Sequence, residues 1–315
     1  MASKEFFAAT GFIISTTVGA GIFALPAVFY RAGVGIGFAY LIFIAAALGI
    51  VHLAYYDVLR QLRERHELLG LVKKYVGAAS FMPALFVIIG GLFLSLVAYV
   101  VLGEAFLRIL FPGLSYPWRV ALFWGVASLP MLVGFKRLGM LEFLGALLMA
   151  VLVLVVHVTS SAIGEYPADL VLIHPEEALL PLGPLIFAFA GWTAIRPALY
   201  SGKQSSLSPR AAKRAITLGT AMAAVIYLAF VVAILGSGES ITSDTLSGLA
   251  GWGYPMLAML SFFGLLAIVT SYWPMSIEIR DSLVRDAGFS QQQGILLVLL
   301  VPIIFVVAGV RDFLS

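Results

Sequence analysis

The chain has 315 residues, of which 62% are hydrophobic and only 11% are charged, and its mean hydropathy is +1.05. A water-soluble domain needs far more polar surface, so the composition indicates an integral membrane protein with a helical interior. The net charge of +3 follows from membrane topology rather than from a nucleic-acid partner, and the absence of cysteine excludes disulfides and thiolate metal sites.

Nine apolar segments are long enough to cross a bilayer as helices, which requires about 20 residues each. They are residues 6–30, 34–58, 81–108, 118–135, 138–161, 178–200, 213–236, 254–280 and 292–310. The amphipathic sequence "ELLGLVKKYVG", between the second and third segments, predicts an interfacial helix. The sequence thus predicts an all-α integral membrane protein with about nine transmembrane helices, forming one domain over residues 1–315.

The placement of lysine and arginine predicts the orientation in the membrane. With a cytoplasmic N-terminus, only Arg31, Arg108, Arg119 and Arg311 of the 19 basic residues fall outside. The loops "EYPADLVLIHPEE" and "GSGESITSDTLSGLAGWGYP" are then external, and neither contains lysine or arginine. We therefore expect a multi-pass protein of the cytoplasmic membrane with its N-terminus inside.

The first apolar segment contains an interruption at "STTVGAGIFALPAVFYRAG", residues 15–33. Gly19 and Gly21 allow backbone angles that leave the helix, and Pro26 cannot donate a hydrogen bond to the carbonyl of Ile22. Unwound backbone within the hydrocarbon layer costs several kcal/mol per unpaired group unless something polar binds it. The interruption therefore predicts a binding site, although a glycine-rich packing face with a proline kink is the alternative.

The sixth segment repeats this pattern. "GIFALPAVFY", residues 21–30, aligns with "GWTAIRPALY", residues 191–200, if one residue is inserted before the second proline. The two segments are five spans apart and cross the membrane in opposite directions, which predicts inverted repeats over about 6–161 and 178–310. Paired broken helices in inverted halves are typical of the binding site of a secondary transporter. Their free N–H groups favour an anion and their free carbonyls a cation, so an α-amino acid suits them.

Three stretches carry a resemblance to a known family: "TTVGAGIFALP", "AYVVLGEAFLRIL" and "FGLLAIVTSYWPMSIEIRDSLVRD". They resemble the amino acid–polyamine–organocation (APC) superfamily, and most closely its amino acid/auxin permease branch, which includes the hydroxy and aromatic amino acid permeases. The resemblance implies the leucine-transporter fold, with two five-helix inverted repeats, and cation-coupled uptake of an amino acid.

The resemblance also implies a substrate site formed by the two broken helices. Its residues are Thr17, Gly19, Ala20, Gly21, Phe187, Ala188, Phe189, Ala190 and Gly191, with Trp192 at its border. Tyr99 in the third segment would face the same cavity, but an interfacial or packing role explains it equally well. The aromatic residues around the second break suit a large neutral or aromatic side chain, although they also suit a gate.

The family's sodium site corresponds to the carbonyls of Ser15, Val18 and Ala267 and the hydroxyls of Thr270 and Ser271. Oxygen ligands of this kind suit a hard cation, whereas a Thr-Ser pair in a membrane helix can also bond back to its own preceding turn. Some proton-coupled relatives place a lysine of the fifth helix at this position. No lysine lies between Leu138 and His157, which favours sodium over a proton as the coupling ion, and no other cofactor is expected.

Two features depart from the family pattern. The fold requires at least ten spans and nine are predicted, so we expect either a truncated gene or a partner helix that completes the bundle. The family also has an acidic residue after the proline of the sixth helix, where this chain reads Arg196-Pro197-Ala198-Leu199.

Several charged residues lie in or near the predicted spans. Arg196 could snorkel to the cytoplasmic face, pair with an acid as an inner gate, or contact the substrate. Glu142 could pair with Lys136 or Arg137, or act as a proton carrier or gate. At the predicted span ends, Glu104 is expected to pair with Arg108 at i,i+4, and Asp57, near Arg60, is expected to be solvated.

The sequence has no metalloprotease, phosphate-loop or nucleophile motif, and an enzyme is not expected. The predicted function is secondary active transport of a neutral or aromatic amino acid. Two alternatives remain open: a non-transporting amino-acid receptor on the same fold, like the subunits of spore germination complexes, and a truncated, inactive permease.

Overall fold

The computed structural model describes residues 2–62, 66–133, 138–163, 166–201, 204–205, 207–237, 240–242, 245 and 251–309. In these residues the α-helices are α1 Ala2–Thr17, α2 Leu25–Ala32, α3 Val34–Gln61, α4 Leu68–Tyr75, α5 Phe81–Ala84, α6 Gly90–Leu110, α7 Tyr116–Val133, α8 Leu138–Ile163, α9 Leu182–Ala188, α10 Ile195–Leu199, α11 Pro209–Leu235, α12 Tyr254–Arg285 and α13 Gln291–Val307. A short antiparallel hairpin joins β1, Tyr200–Ser201, to β2, Gln204–Ser205.

The helices coincide with the predicted apolar segments to within a few residues. By length and composition, six spans of the described chain can cross a membrane, and the pair Lys4–Thr17 and Ala20–Ala32, bent by 46°, makes a seventh. A helix also lies where the interfacial helix is predicted, as α4. The third span differs from a simple helix, because a π-helical turn at Leu85–Ile89 joins α5 to α6.

The chain divides into two compact units. One comprises Met1–Arg60 and Arg137–Thr270, and the other Gln61–Lys136 and Ser271–Ser315. This division does not follow the two predicted inverted repeats, which remain a prediction.

In the first unit, α1 packs against α8 and α11, which also pack against each other. Glycines make this close approach possible. A Cβ atom on Gly11 would lie 2.6 Å from Cα of Phe143, and one on Gly219 would lie 2.7 Å from Cγ2 of Ile13. Because such distances are too short for any side chain, these glycines let the backbones of α1, α8 and α11 come together.

The loop before α9 is held against the junction of α2 and α3. Gly33 makes the turn with φ +93°, a left-handed conformation that favours glycine. Val34 N–H donates to the carbonyl of Val171 at 3.0 Å, and His174 N–H donates to the carbonyl of Ala32 at 2.8 Å. The backbone of this predicted external loop is thus tied directly to the outer half of the first span.

Charged groups cluster at the opposite end of the first unit. The side chain of Asp57, expected to be solvated near Arg60, is 37% exposed, and it also forms an ion pair that the sequence did not reveal: Lys213 Nζ donates to Asp57 Oδ2 at 2.6 Å. The reason is that α11 brings a lysine to the carboxylate from another part of the chain. Beside this pair, burial and the neighbouring Tyr56 raise the pKa of Tyr200 to about 12, although the positive charge of Arg196 acts in the opposite direction.

In the second unit, α6 packs against α7 and α13. Arg119 of α7 places Nε and Nη2 each 2.7 Å from Glu104 Oε1. The predicted pairing of Glu104 with Arg108 is therefore wrong. Glu104 is buried while Arg108 is exposed on the same helix, so the buried carboxylate binds the guanidinium that the packed neighbour supplies.

The start of α4 is capped by a residue from the end of α12. Asp286 Oδ2 accepts hydrogen bonds from the N–H of Glu67 at 3.1 Å and of Gly70 at 2.8 Å, which is the role of an N-cap side chain. His66 Nδ1 lies 3.3 Å from Asp286 Oδ1, and Arg285 pairs with the buried Glu67. Burial raises the pKa of Asp286, and its hydrogen bonds to Gly70 and His66 oppose that effect.

Candidate functional site

Both predicted interruptions are present as breaks in helices of the first unit. At the first, α1 ends at Thr17, Gly19 is extended with φ −111° and ψ −153°, and a 3₁₀ turn over Ala20–Ala24 leads into α2. At the second, α9 ends at Ala188, Ala190 leaves the helix with ψ 43°, and a 3₁₀ turn over Gly191–Ala194 leads into α10. Each break ends one half-helix and begins another.

The two breaks pack directly against each other. A Cβ atom on Gly21 would lie 2.8 Å from Cα of Ala188, at the end of α9. A Cβ atom on Gly191 would collide with the side chain of Thr17, at the end of α1, and would lie 3.2 Å from its Cβ. Each break therefore contributes a glycine that faces the last helical turn before the other break.

Tyr227 of α11 joins the two half-helices. Its hydroxyl oxygen lies 2.5 Å from the carbonyl oxygen of Thr17 and 2.7 Å from that of Ala188. Its ring packs edge-on against Phe189, with 5.1 Å between centroids. Sequence reasoning missed this residue, although a tyrosine near the middle of an apolar span is itself a signal, because its hydroxyl needs a buried partner.

Polar groups of both signs converge at the breaks. The last carbonyls of α1 and α9 point out of their half-helices, and the first N–H groups of each following turn have no partner within it. Two buried hydroxyl groups, Thr17 Oγ1 and Thr193 Oγ1, have no hydrogen-bond partner among the described residues. The site can therefore accept hydrogen bonds from an ammonium group and donate hydrogen bonds to a carboxylate.

Three phenylalanines pack beside the first break. Phe23, within its 3₁₀ turn, contacts Phe230 of α11 at 5.6 Å and Phe263 of α12 at 5.7 Å between ring centroids. The side chain of Thr245 donates to the carbonyl of Phe23 at 2.5 Å. This cluster, which the sequence did not reveal, makes one end of the break apolar.

The other predicted substrate residues lie in different surroundings. Gly19, Ala20 and Phe189 are buried at the breaks and Ala190 is half-buried, whereas the side chain of Phe187 is 39% exposed. Trp192 is half-buried and packs edge-on against Tyr55 of α3, with 6.1 Å between centroids. Tyr99 is buried within α6 of the second unit, and its role in the site stays a prediction.

Oxygen atoms of the predicted cation site come together between α1 and α12. Thr270 Oγ1 lies 3.0 Å from the carbonyl oxygen of Ser15 and 3.1 Å from that of Ala267. It also lies 2.9 Å from the carbonyl of Leu266, which is the back-bonding geometry expected of a helical threonine. Val18 and Ser271 are both buried, and Ser271 begins the part of α12 that belongs to the second unit.

Glu142 of α8 lies beside these oxygens. Its carboxylate is fully buried, and Oε2 accepts a hydrogen bond from Ser15 Oγ. One turn further along α8, a Cβ atom on Gly145 would lie 3.3 Å from Cγ2 of Thr270. Lys136 and Arg137, the predicted partners of Glu142, lie outside the described residues, as does Arg311. Among the described residues Oε1 has no partner, so it is available to a cation.

Arg196 lies in α10, beyond the second break. Arg196 is half-buried, and its positive charge acts on Tyr200, the residue that follows α10. It therefore lies near the Lys213–Asp57 pair, at the end of the first unit that the topology prediction places in the cytoplasm.

Comparison with known proteins agrees with this architecture. Residues 2–308 match the tryptophan/tyrosine permease family. No curated protein sequence matches the chain. Among solved structures, the fold is similar to MhsT in complex with L-phenylalanine, with a TM-score of 0.69 and 18% identity over 96% of this chain and 78% of that one. It is also similar to the inward-facing conformation of Mhp1, with a TM-score of 0.62 and 14% identity over 98% of this chain and 71% of that one.

Both structures are transporters with the leucine-transporter fold, so the predicted fold class is confirmed, whereas the narrower amino acid/auxin branch stays a prediction. The family match extends over nearly all of the chain. The protein is thus a multi-pass membrane transporter and belongs to the tryptophan/tyrosine permease family.

Proposed function

We propose that the protein is a secondary active transporter that carries a neutral or aromatic amino acid across the cytoplasmic membrane by cation-coupled alternating access. The observation that carries this proposal is the packing of two broken helices, Gly21 against Ala188 and Gly191 against Thr17, with polar backbone at their meeting point. Broken helices at membrane depth are tolerated where their unpaired groups line a site. The family's name supports an aromatic substrate.

The substrate would bind through its two backbone charges. Its carboxylate would accept hydrogen bonds from the N–H groups of the turn that begins at Ala20. Its ammonium group would donate hydrogen bonds to the carbonyls of Thr17 and Ala188, which Tyr227 contacts in this structure. A ring on the substrate would pack against the aromatic side chains at the breaks, including Phe189 and the cluster around Phe23. The complex of MhsT with L-phenylalanine is consistent with this chemistry in the same fold.

The coupling ion would bind next to the substrate, at the oxygens of Ser15, Ala267 and Thr270, with the carbonyl of Val18 and the hydroxyl of Ser271 as further ligands. Sodium prefers oxygen ligands of this kind. Glu142 would contribute a carboxylate oxygen to the site, because its Oε2 already binds Ser15. Since Ser15 lies two residues before the last residue of α1, an ion here would fix the half-helix that presents Thr17 to the substrate.

Uptake of radiolabelled tryptophan, tyrosine and phenylalanine into proteoliposomes tests the proposal. Gly191→Ala is expected to reduce uptake at least about tenfold, because its methyl group would collide with Thr17 where the two breaks pack together. Gly183→Ala is the matched control, since a Cβ atom at Gly183, in the preceding half-helix, would meet nothing within 4 Å.

Two results would contradict the proposal. Equal uptake by Gly191→Ala and the wild type would show that the packed breaks are not the site. Binding of an aromatic amino acid without uptake or exchange would instead favour a receptor on the same fold.

A further inference from the structure

One face of α11 is basic at its start and apolar further along. Arg210, Arg214, Thr217, Leu218 and Ala221 follow one another at spacings of three, four and one residue, so they lie on the same side of the helix. Arg210 and Arg214 are exposed, and neither forms an ion pair within the described part of the chain. Lys213, beside them, is held by Asp57 of α3.

This face lines an open cavity of about 810 Å³, to which Phe6 of α1 also contributes. The arginines lie at its polar end, and Thr217, Leu218 and Ala221 line the rest. The cavity is large enough to hold a headgroup of several polar atoms. Its position at the start of a membrane-spanning helix places the charged end at the level of lipid headgroups.

A second cavity, of about 250 Å³, adjoins the first and shares Thr217 and Ala221 with it. Its lining includes three small residues of α3: Ala45, Ala46 and Gly49. α3 and α11 meet at Gly49, where a Cβ atom would be in ordinary van der Waals contact with Thr220, 3.7 Å from its Cγ2. The larger cavity, which has the arginines at one end, therefore adjoins a smaller apolar groove between two membrane-spanning helices.

We propose that these two cavities bind one anionic phospholipid. The phosphate pairs with Arg210 and Arg214, and one acyl chain lies in the groove formed by Ala45, Ala46 and Gly49. A soluble anion would satisfy the arginines and leave the apolar groove uncovered, whereas a phospholipid fills both. The lipid would contact α1 and α11, the helices that carry Thr17 and Tyr227, so its occupancy would stabilise the bundle around the breaks.

Native mass spectrometry of the delipidated protein tests this site independently of transport. Phosphatidylglycerol is expected to bind at least about tenfold more tightly than phosphatidylcholine with the same acyl chains. The double variant Arg210→Gln/Arg214→Gln is expected to remove this preference. Lys73→Gln/Lys74→Gln is the control, because it removes two exposed charges of α4 that line neither cavity. Ala46→Leu is expected to weaken phosphatidylglycerol binding without any change of charge.

Three results would overturn the proposal. Equal binding of the two lipids would exclude recognition of the anionic headgroup. Displacement of phosphatidylglycerol by inorganic phosphate alone would identify a site for a soluble anion. An equal loss of binding in Lys73→Gln/Lys74→Gln would attribute the preference to overall surface charge.

Discussion

At each break of the first unit, a single glycine sets the distance between two helix ends. Gly21 faces Ala188 and Gly191 faces Thr17, and the alignment of the two apolar segments pairs Gly21 with Gly191. Such reciprocal contacts are what two structurally related halves would produce. They bring two half-helix ends to the same place, so that the hydroxyl of Tyr227 contacts the terminal carbonyl of each, Thr17 and Ala188.

Tyr227→Phe is expected to weaken both stability and transport. The change keeps the ring on Phe189 and removes the hydroxyl that contacts the carbonyls of Thr17 and Ala188. The loss of a buried donor costs about 1–3 kcal/mol, so we expect the Tm in detergent to fall by a few degrees and the KM for uptake to change. Tyr75→Phe, at a side chain that is 66% exposed, is the control. Wild-type Tm and KM in Tyr227→Phe would show that the hydroxyl does not hold the breaks together.

Glu142→Gln is expected to raise the sodium concentration that gives half-maximal uptake. Glutamine keeps an acceptor for Ser15 Oγ and removes the carboxylate that would bind the ion beside the oxygens of Ser15 and Thr270. The loss of one charged ligand of a bound sodium ion is expected to weaken its binding free energy by at least about 1.4 kcal/mol, or about tenfold in sodium affinity. The measurement is uptake against sodium concentration at fixed pH. Unchanged sodium dependence, combined with loss of uptake driven by a pH gradient, would assign coupling to a proton.

At the level of elements, the short helix α4 depends on residues far away in the sequence. Its sequence contains no favourable N-cap side chain, and Glu67 at that position forms no capping bond with its own carboxylate. Asp286, just after α12, accepts from the N–H of Gly70, which a capping side chain would bind, and also from the N–H of Glu67. Gly70 permits this contact, because a Cβ atom there would collide with the carboxylate of Asp286.

Asp286→Ala is expected to destabilise α4 and its attachment to the end of α12. The loss of an N-cap acceptor costs about 0.5–2 kcal/mol, and here it also leaves the buried N–H of Gly70 without its acceptor. Lys73 and Lys74 are exposed in the last turn of α4, so trypsin cleavage after these lysines should become faster. Asp286→Asn keeps one acceptor oxygen and is expected to be cleaved at an intermediate rate. Identical cleavage of Asp286→Ala and the wild type would contradict this account.

At the level of the whole molecule, the orientation in the membrane remains a prediction from the charge distribution. The charged cluster of Asp57, Lys213 and Arg196 lies at one end of the first unit, and the loop held by Val34 and His174 lies at the other. The positive-inside rule places the first end in the cytoplasm.

The absence of cysteine allows a direct test of this orientation with single-cysteine variants. Glu176→Cys and Lys74→Cys both replace exposed residues. In intact cells, a membrane-impermeant maleimide is expected to label Glu176→Cys and to leave Lys74→Cys unlabelled until the cells are permeabilised. The opposite labelling pattern would reverse the topology.

The sequence by itself determined the class of protein, the approximate limits of its spans and the two places where helices break. These follow from local chemistry, because apolar length, glycine and proline act within a few residues of the chain. Only the tertiary structure decided which side chains meet. Glu104 binds Arg119, Asp57 binds Lys213 and Tyr227 reaches both breaks, each across at least fifteen residues of sequence. A polar group bonds to whichever partner the packing of helices brings to it, most strictly where it is buried as Glu104 and Tyr227 are, and sequence spacing does not reveal that partner.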